Sequence, residues 1–252
     1  TVMTRNTKIV LIRELNPVNY FDITFFLKNK INVKDVYNNF SYDKRSPYYN
    51  FKKSPLNNSN SFAIVLPAAD DEPNINVNWA MFFADNFISA RHFQFRIWKQ
   101  SLKEVQKLFF SAPIQYKKSL ISNITLEYNN RFIFKNRDNM GEMFAKCDII
   151  PQKILSGETL LNYEFSFVEN SHLLADSYYF ISLKMGESKK AGEGVIDIST
   201  QICSFECDGI DLLQRLSSEN FEPLVNDMNS ILNNLLFNLL TPEAKSGILV
   251  FS

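Results

Sequence analysis

The side chains with chemistry to offer in this 252-residue chain are few: His92 and His172, three cysteines at 147, 203 and 207, and the stretch LEYNNRF at 126–132. Structural zinc asks for four ligands in paired short spacings. Cys203 and Cys207 make one loose pair, and neither histidine adjoins a thiol. No metal and no cofactor is therefore expected. On one strand, Cys203 and Cys207 would stand about 13 Å apart, too far for a disulfide. An odd cysteine count with no framework points to a reducing, cytoplasmic setting. Nucleophilic catalysis finds no G-x-S-x-G and no Cys–His pairing. With 7 glycines and no G-x-x-x-x-G-K, a phosphate loop is excluded. Asp70-Asp71-Glu72 before Pro73 reads as a turn, with no partner acid in view. His92 has no Asp, Glu or Cys at ligand spacing and reads as a surface or internally satisfied histidine.

Tyr128, Asn130 and Arg131 are the group of most interest. Asn130 falls on the otherwise apolar face of its strand, where a buried amide needs partners. Arg131 shares the other face with Glu127, four residues back. The structural reading pairs Asn130 with neighbouring backbone and makes Glu127–Arg131 a weak surface pair. The functional reading has this strand line the junction of two halves and hold an anionic or peptide ligand. Lys plus Arg equal Asp plus Glu at 27 each. Zero net charge disfavours a generic nucleic-acid binder. Lys52-Lys53, Lys117-Lys118 and Lys189-Lys190 are dispersed and read as solvated loops.

The elements that must carry these residues are legible from hydrophobic period. Phe21, Ile23, Phe25 and Leu27 alternate as a half-buried strand, and Val33, Val36, Tyr37 and Phe40 repeat as a short helix. Residues 41–60 are rich in Lys, Ser, Pro and Asn and read as a loop. Phe62 to Leu66 is a short strand. Ile75, Val77, Trp79, Met81 and Phe83 alternate with asparagines, and Asp85-Asn86 turns the chain into a return strand from Phe87 to Ile97. From Trp98 the period becomes helical, through Leu102, Val105 and Phe109 to Pro113. Trp98 is expected to be a core anchor.

The second part repeats this order. Ile121 to Phe134 is a strand, 139–146 a helix, and Leu161 to Phe167 and Tyr179 to Met185 are two more strands. GESKKAGEG, 186–194, reads as a flexible hairpin loop before a strand from Val195 to Phe205. Phe221, Val225, Met228, Leu232, Leu235 and Leu239 form the stripe of a long helix, with Asn226, Asp227, Asn229 and Asn233 mostly off it. Pro223 suits its first turn and Thr241-Pro242 its end. The expected fold is α+β: two pseudo-repeated halves, 1–115 and 116–252, each an antiparallel sheet covered by its C-terminal helix. One continuous sheet shared by both halves is the alternative left open. No apolar run reaches the roughly 18 residues of a membrane span.

Four segments carry a family resemblance: Asn16-Pro17-Val18 leading into FDITFFL, DNFISARHFQFRIW ending at Trp98, LEYNNRF, and GVIDIS followed by the long helix. Together they resemble a sporadically distributed bacterial family of about this length and of no established function. The family's D-R-F-S-x-N…W-E, L-R-Y-I-N-R-I and D-I-D motifs meet departures at Lys99, Glu127, Asn129 and Ser199. The resemblance brings Arg91, His92 and Asp197 into the candidate binding set beside Tyr128, Asn130 and Arg131. It implies an accessory or antitoxin-like role in defence. The expectation is a non-enzymatic interaction protein with a partner encoded nearby, and homodimerisation within its range. A small-ligand module using a cavity between sheet and helix is the alternative, and an enzyme the weakest reading.

Overall fold

The computed structural model describes residues 18–40, 43–57, 60–67, 77–93, 97–134, 162–170, 178–190, 193–205 and 209–242. The predicted helix at 139–146, together with Cys147, Cys207, His172 and the Asp70-Asp71-Glu72 turn, lies outside them. In chain order the elements are β1 (Val18–Leu27), α1 (Val33–Asn39), β2 (Lys52–Lys53), β3 (Ser61–Pro67), β4 (Val77–Ala84), β5 (Phe87–His92), α2 (Trp98–Phe110), α3 (Ile114–Lys117), β6 (Ile121–Phe134), β7 (Asn162–Asn170), β8 (Tyr178–Lys190), β9 (Glu193–Phe205), α4 (Leu212–Ser217) and α5 (Phe221–Leu239). The fold is α+β, as its alternating and helical periods predict.

The described strands form one nine-stranded sheet in the order β2-β3-β4-β5-β1-β6-β9-β8-β7, and every described pairing is antiparallel. This corrects the expectation of two sheets. The seam is the β1–β6 ladder, which sets Phe21 beside Tyr128, Ile23 beside Leu126 and Phe25 beside Ile124. Each of these strands is apolar on one face. Pairing them satisfies two rows of backbone groups that would otherwise be exposed edges. It also makes the two apolar faces continuous.

That apolar face carries the helices. Phe25 meets Phe109 of α2 edge-on at 4.8 Å and stacks on Phe221 of α5 at 6.0 Å. Phe21 meets Trp98 at 5.6 Å. On the β3–β4 side, Phe62 stacks on Phe83 at 4.9 Å, with Phe40 and Tyr37 from the α1 region closing over them. Met228, Val225, Leu232 and Leu239 of α5 are all buried, as their spacing predicts. Tyr48 and Tyr116 are buried with their hydroxyls on the backbone carbonyls of Leu108 and Ala84.

The asparagine flank of α5 is not idle. Trp98 Nε1 donates to Asn226 at 2.7 Å, Tyr128 Oη to Asn229, and Tyr179 Oη to Asp227 at 2.8 Å. A buried aromatic with a polar tip needs a partner there. The polar residues of α5 supply one for each of three strand or helix neighbours.

Three local readings change. Residues 186–190 and 193–194 are strand rather than loop: β8 runs to Lys190 and β9 starts at Glu193, with Ser188 opposite Val195 in the ladder. Glycine and lysine content misled there, because a long hairpin can carry them on strands whose pairing is set elsewhere. Residues 41–60 contain the two-residue strand β2 on the sheet edge. The α4 turn was missed, although Asp211 and Gln214 form a capping box before Leu212. Gly209, at φ 65°, makes the left-handed step into it.

Candidate functional site on the helix-free face

Side chains alternate across a strand, so the six candidate residues cannot share one face. His92, Tyr128 and Asn130 lie on the helix side, each at most 6 % exposed. Arg91, Arg131 and Asp197 lie on the opposite face, which carries no helix among the described residues. The ladders place that face's residues in rows. One row reads Arg91, Asp22, Glu127, Gln201, Ser182; the next reads Tyr20, Asn129, Ser199, Lys184.

Asp22 is the hub at one end. Its carboxylate accepts from Arg91 Nε at 2.9 Å, from Thr24 Oγ1 at 2.7 Å and from Ser89 Oγ. The Arg91 guanidinium lies over the Tyr20 ring at 4.1 Å and near the Phe82 ring at 5.3 Å. Such stacking favours the planar, weakly hydrated cation of arginine. Tyr20 Oη donates to Glu127 at 3.0 Å, and Ser199 Oγ donates to the same carboxylate oxygen at 3.0 Å. Burial, and then the negative charge of Glu127, push the Tyr20 hydroxyl up to about 12. It stays a donor at any physiological pH.

At the other end Arg131 forms a forked pair with Asp197, at 2.7 and 3.1 Å. The bond to Asp197 raises the arginine's affinity for its proton further. The expected Glu127–Arg131 pair is not made. Residues four apart on one strand are about 13 Å apart, whereas cross-strand neighbours are about 5 Å apart. Sequence proximity named the wrong carboxylate; register names Asp197. Lys184 and Glu164 add a third, exposed pair at 3.1 Å.

Arg131→Ala is expected to change unfolding free energy by less than about 1 kcal/mol, because its side chain is 47 % exposed. Urea denaturation checks this; a loss of several kcal/mol would mean the pair is structural.

On the helix side, His92 is a core residue. Its ring stacks on Trp79 at 4.0 Å with an interplanar angle of 2°. One ring nitrogen meets Asn78 Oδ1 at 3.0 Å and the other Ser101 Oγ at 3.2 Å. Trp79 Nε1 in turn donates to Glu104. His92 therefore leaves the binding set. Burial drives its pKa down to about 4. The Ser101 hydroxyl beside it is 3 % exposed, so no substrate reaches this pair. Tyr128 leaves the set too, committed to Asn229. Asn130 is 1 % exposed, and its Nδ2 has no hydrogen-bond partner among the described residues; Thr200 Oγ1, diagonal to it across β6–β9, is in the same state. The neighbouring-backbone bond expected of this amide is not made by Nδ2.

Cys203 is the one described thiol. It sits on the helix-free face, half-buried, and accepts from Asn123 Nδ2 at 3.2 Å. Burial pushes the thiol up, against the smaller opposing pull of its bonds with Asn123 and Thr125. A thiol held protonated is a poor nucleophile. Among the described residues no three His, Cys, Asp or Glu gather to hold a metal. No described helix is long and apolar enough to cross a membrane. A shallow cleft of about 250 Å³ lies between α1, the 46–48 turn and the α2–α3 junction, away from every predicted site residue.

No protein-family model matches the chain. No curated protein matches it either.

Proposed function

We propose that this chain is a non-enzymatic interaction protein, an accessory or antitoxin-like component of a bacterial operon, and that it engages a protein partner through the helix-free face of its sheet. One observation carries this reading. Arg91 and Arg131 are each fixed by a carboxylate on a rigid strand, part-exposed, while the described histidine is sequestered in the core. A surface held in place this way loses little conformational freedom on binding. Its charges are mixed: Arg91, Arg131 and Lys184 stand among Asp22, Glu127, Asp197 and Glu164. A polyanion would have to displace the carboxylates already holding both arginines, so a partner with its own alternating charges fits better than nucleic acid.

The test is co-expression with the products of the flanking genes, followed by affinity measurement on the purified pair. Arg131→Glu sets two carboxylates against each other at the β6–β9 seam and is expected to weaken binding by about tenfold. If no flanking product binds, the partner reading falls. If one binds and Arg131→Glu leaves the affinity intact, the face is misassigned.

The second reading, a small polar ligand held between sheet and helix, is favoured by Asn130 Nδ2 and Thr200 Oγ1. Buried polar groups without partners cost about 1–3 kcal/mol each, which a guest would relieve. Native mass spectrometry separates the readings, since only this one expects a small molecule to co-purify.

We also infer that the two halves descend from one duplicated unit. In its support, the order outward from the β1–β6 seam is 1-5-4-3 on one side and 6-9-8-7 on the other. In each half the last of these strands in the chain leads towards a helix on the apolar face, α2 or α5.

A further inference from the structure

The two ends of the sheet are finished differently. At one end the edge is β2, two residues long, and both are lysines. Lys53 folds over the Tyr37 ring at 4.1 Å and bonds its carbonyl. A short, charged strand is a device against edge-to-edge pairing. At the other end the edge is β7, nine residues long without proline, and among the described residues it pairs only with β8. Its helix-side residues Phe165 and Phe167 stack on each other at 5.2 Å and are only half-buried. Val168 on the other face is 60 % exposed, beside Phe180 at 41 %.

We propose that β7 pairs antiparallel with β7 of a second copy of this chain, about a two-fold axis through Ser166, extending the sheet across the dimer. The strand's own sequence argues for that occupant. Full overlap of Asn162–Asn170 with itself centres on Ser166. In that register Phe165 of each copy faces Phe167 of the other, and Glu164 faces Val168. Glu169 faces Tyr163, and no carboxylate opposes a carboxylate. Such an isologous contact closes, so it stops at a dimer. Aromatic and apolar cross-strand pairs favour the register, and like charges placed opposite each other oppose it.

Ser166 is exposed and opposes only itself, which makes it the probe. Sedimentation of the whole chain is expected to give a dimer of 29.2 kDa protomers. Ser166→Lys and Ser166→Glu are each expected to raise the dimer dissociation constant about fivefold, and an equimolar mixture of the two to restore association as a heterodimer. Val168→Lys, which sets each lysine against Glu164 of the partner subunit, is expected to leave the dimer as tight or tighter. A wild-type monomer at the highest soluble concentration overturns the proposal. So does a dimer indifferent to both Ser166 charges, or variants that fail to recombine. Loss of the dimer in Val168→Lys with none in Ser166→Lys overturns this register. Because β7 is three strands from β6, which carries Arg131, Arg131→Glu is expected to leave the dimer unchanged.

Discussion

Trp98→Ala is expected to lower the unfolding free energy by about 3–5 kcal/mol, the usual range for emptying a core aromatic site. The residue joins two helices to the sheet at once. It begins α2, its ring meets Phe21 of β1 at 5.6 Å and Tyr128 of β6 at 6.2 Å, and its indole nitrogen reaches Asn226 on α5. Truncation opens a cavity where both strands of the seam meet the helices. It also takes a donor from Asn226 in a largely buried setting, which adds to the transfer cost. Trp98→Phe separates the two contributions, because it keeps most of the apolar volume and removes only the N–H. It is expected to cost about 1–2 kcal/mol. Urea unfolding monitored by far-ultraviolet circular dichroism gives both values, with the slope unchanged if the native state stays compact. A cost below about 1 kcal/mol for Trp98→Ala would show that the site collapses freely and that Trp98 does not hold the layers together.

What could be read in the sequence follows from how local the signal is. The alternation of Phe21 to Leu27, the turn at Asp85-Asn86, the change of period at Trp98 and the stripe of α5 are set by neighbours in the chain, and each stands where it was placed. The number of sheets was not readable. Whether β1 finds β6 depends on pairing over a separation of about a hundred residues, and either arrangement buries the same apolar faces. The candidate site shows the same division. Period two already assigns Arg131 and Asn130 to opposite faces. Only register pairs Arg131 with Asp197 rather than Glu127, and gives Glu127 to Tyr20 and Ser199. Asp22 and Tyr20, which anchor the Arg91 end of the face, carry no local signal inside FDITFFL and just before it. A lone Asp inward of a strand's start, with no charge near it in the chain, gives no sign that Arg91 will lie beside it.

His92 carries a large expected effect on the acid side of neutral pH, and its sign follows from its burial. In the unfolded chain the imidazole titrates near 6.5, and in the fold near 4. The native state holds the ring neutral, wedged between Trp79 and Phe21 with Asn78 and Ser101 on its nitrogens. Between these two values the unfolded state binds more protons than the folded one. Acid therefore favours unfolding. The contribution of the neutral ring is fully present above about pH 6.5 and is lost progressively as the pH falls to about 4, where the folded ring also takes a proton. Integrated over the window, the loss is roughly 3 kcal/mol. Carboxylates titrate in the same range, so the measurement is a difference between proteins. Unfolding free energies of wild type and His92→Gln are to be compared at about pH 7 and about pH 4.5, with His92→Phe as a second variant that keeps the stack on Trp79. At the higher pH the wild type is expected to be the more stable by about 2–4 kcal/mol, since removal of the ring also strands Asn78 and Ser101. At the lower pH that advantage is expected to shrink by more than half. Parallel stability curves would place His92 in a solvated, ordinary titration and would contradict the stacked, doubly bonded geometry. A costless His92→Gln, the outcome expected of an exposed histidine, would do the same.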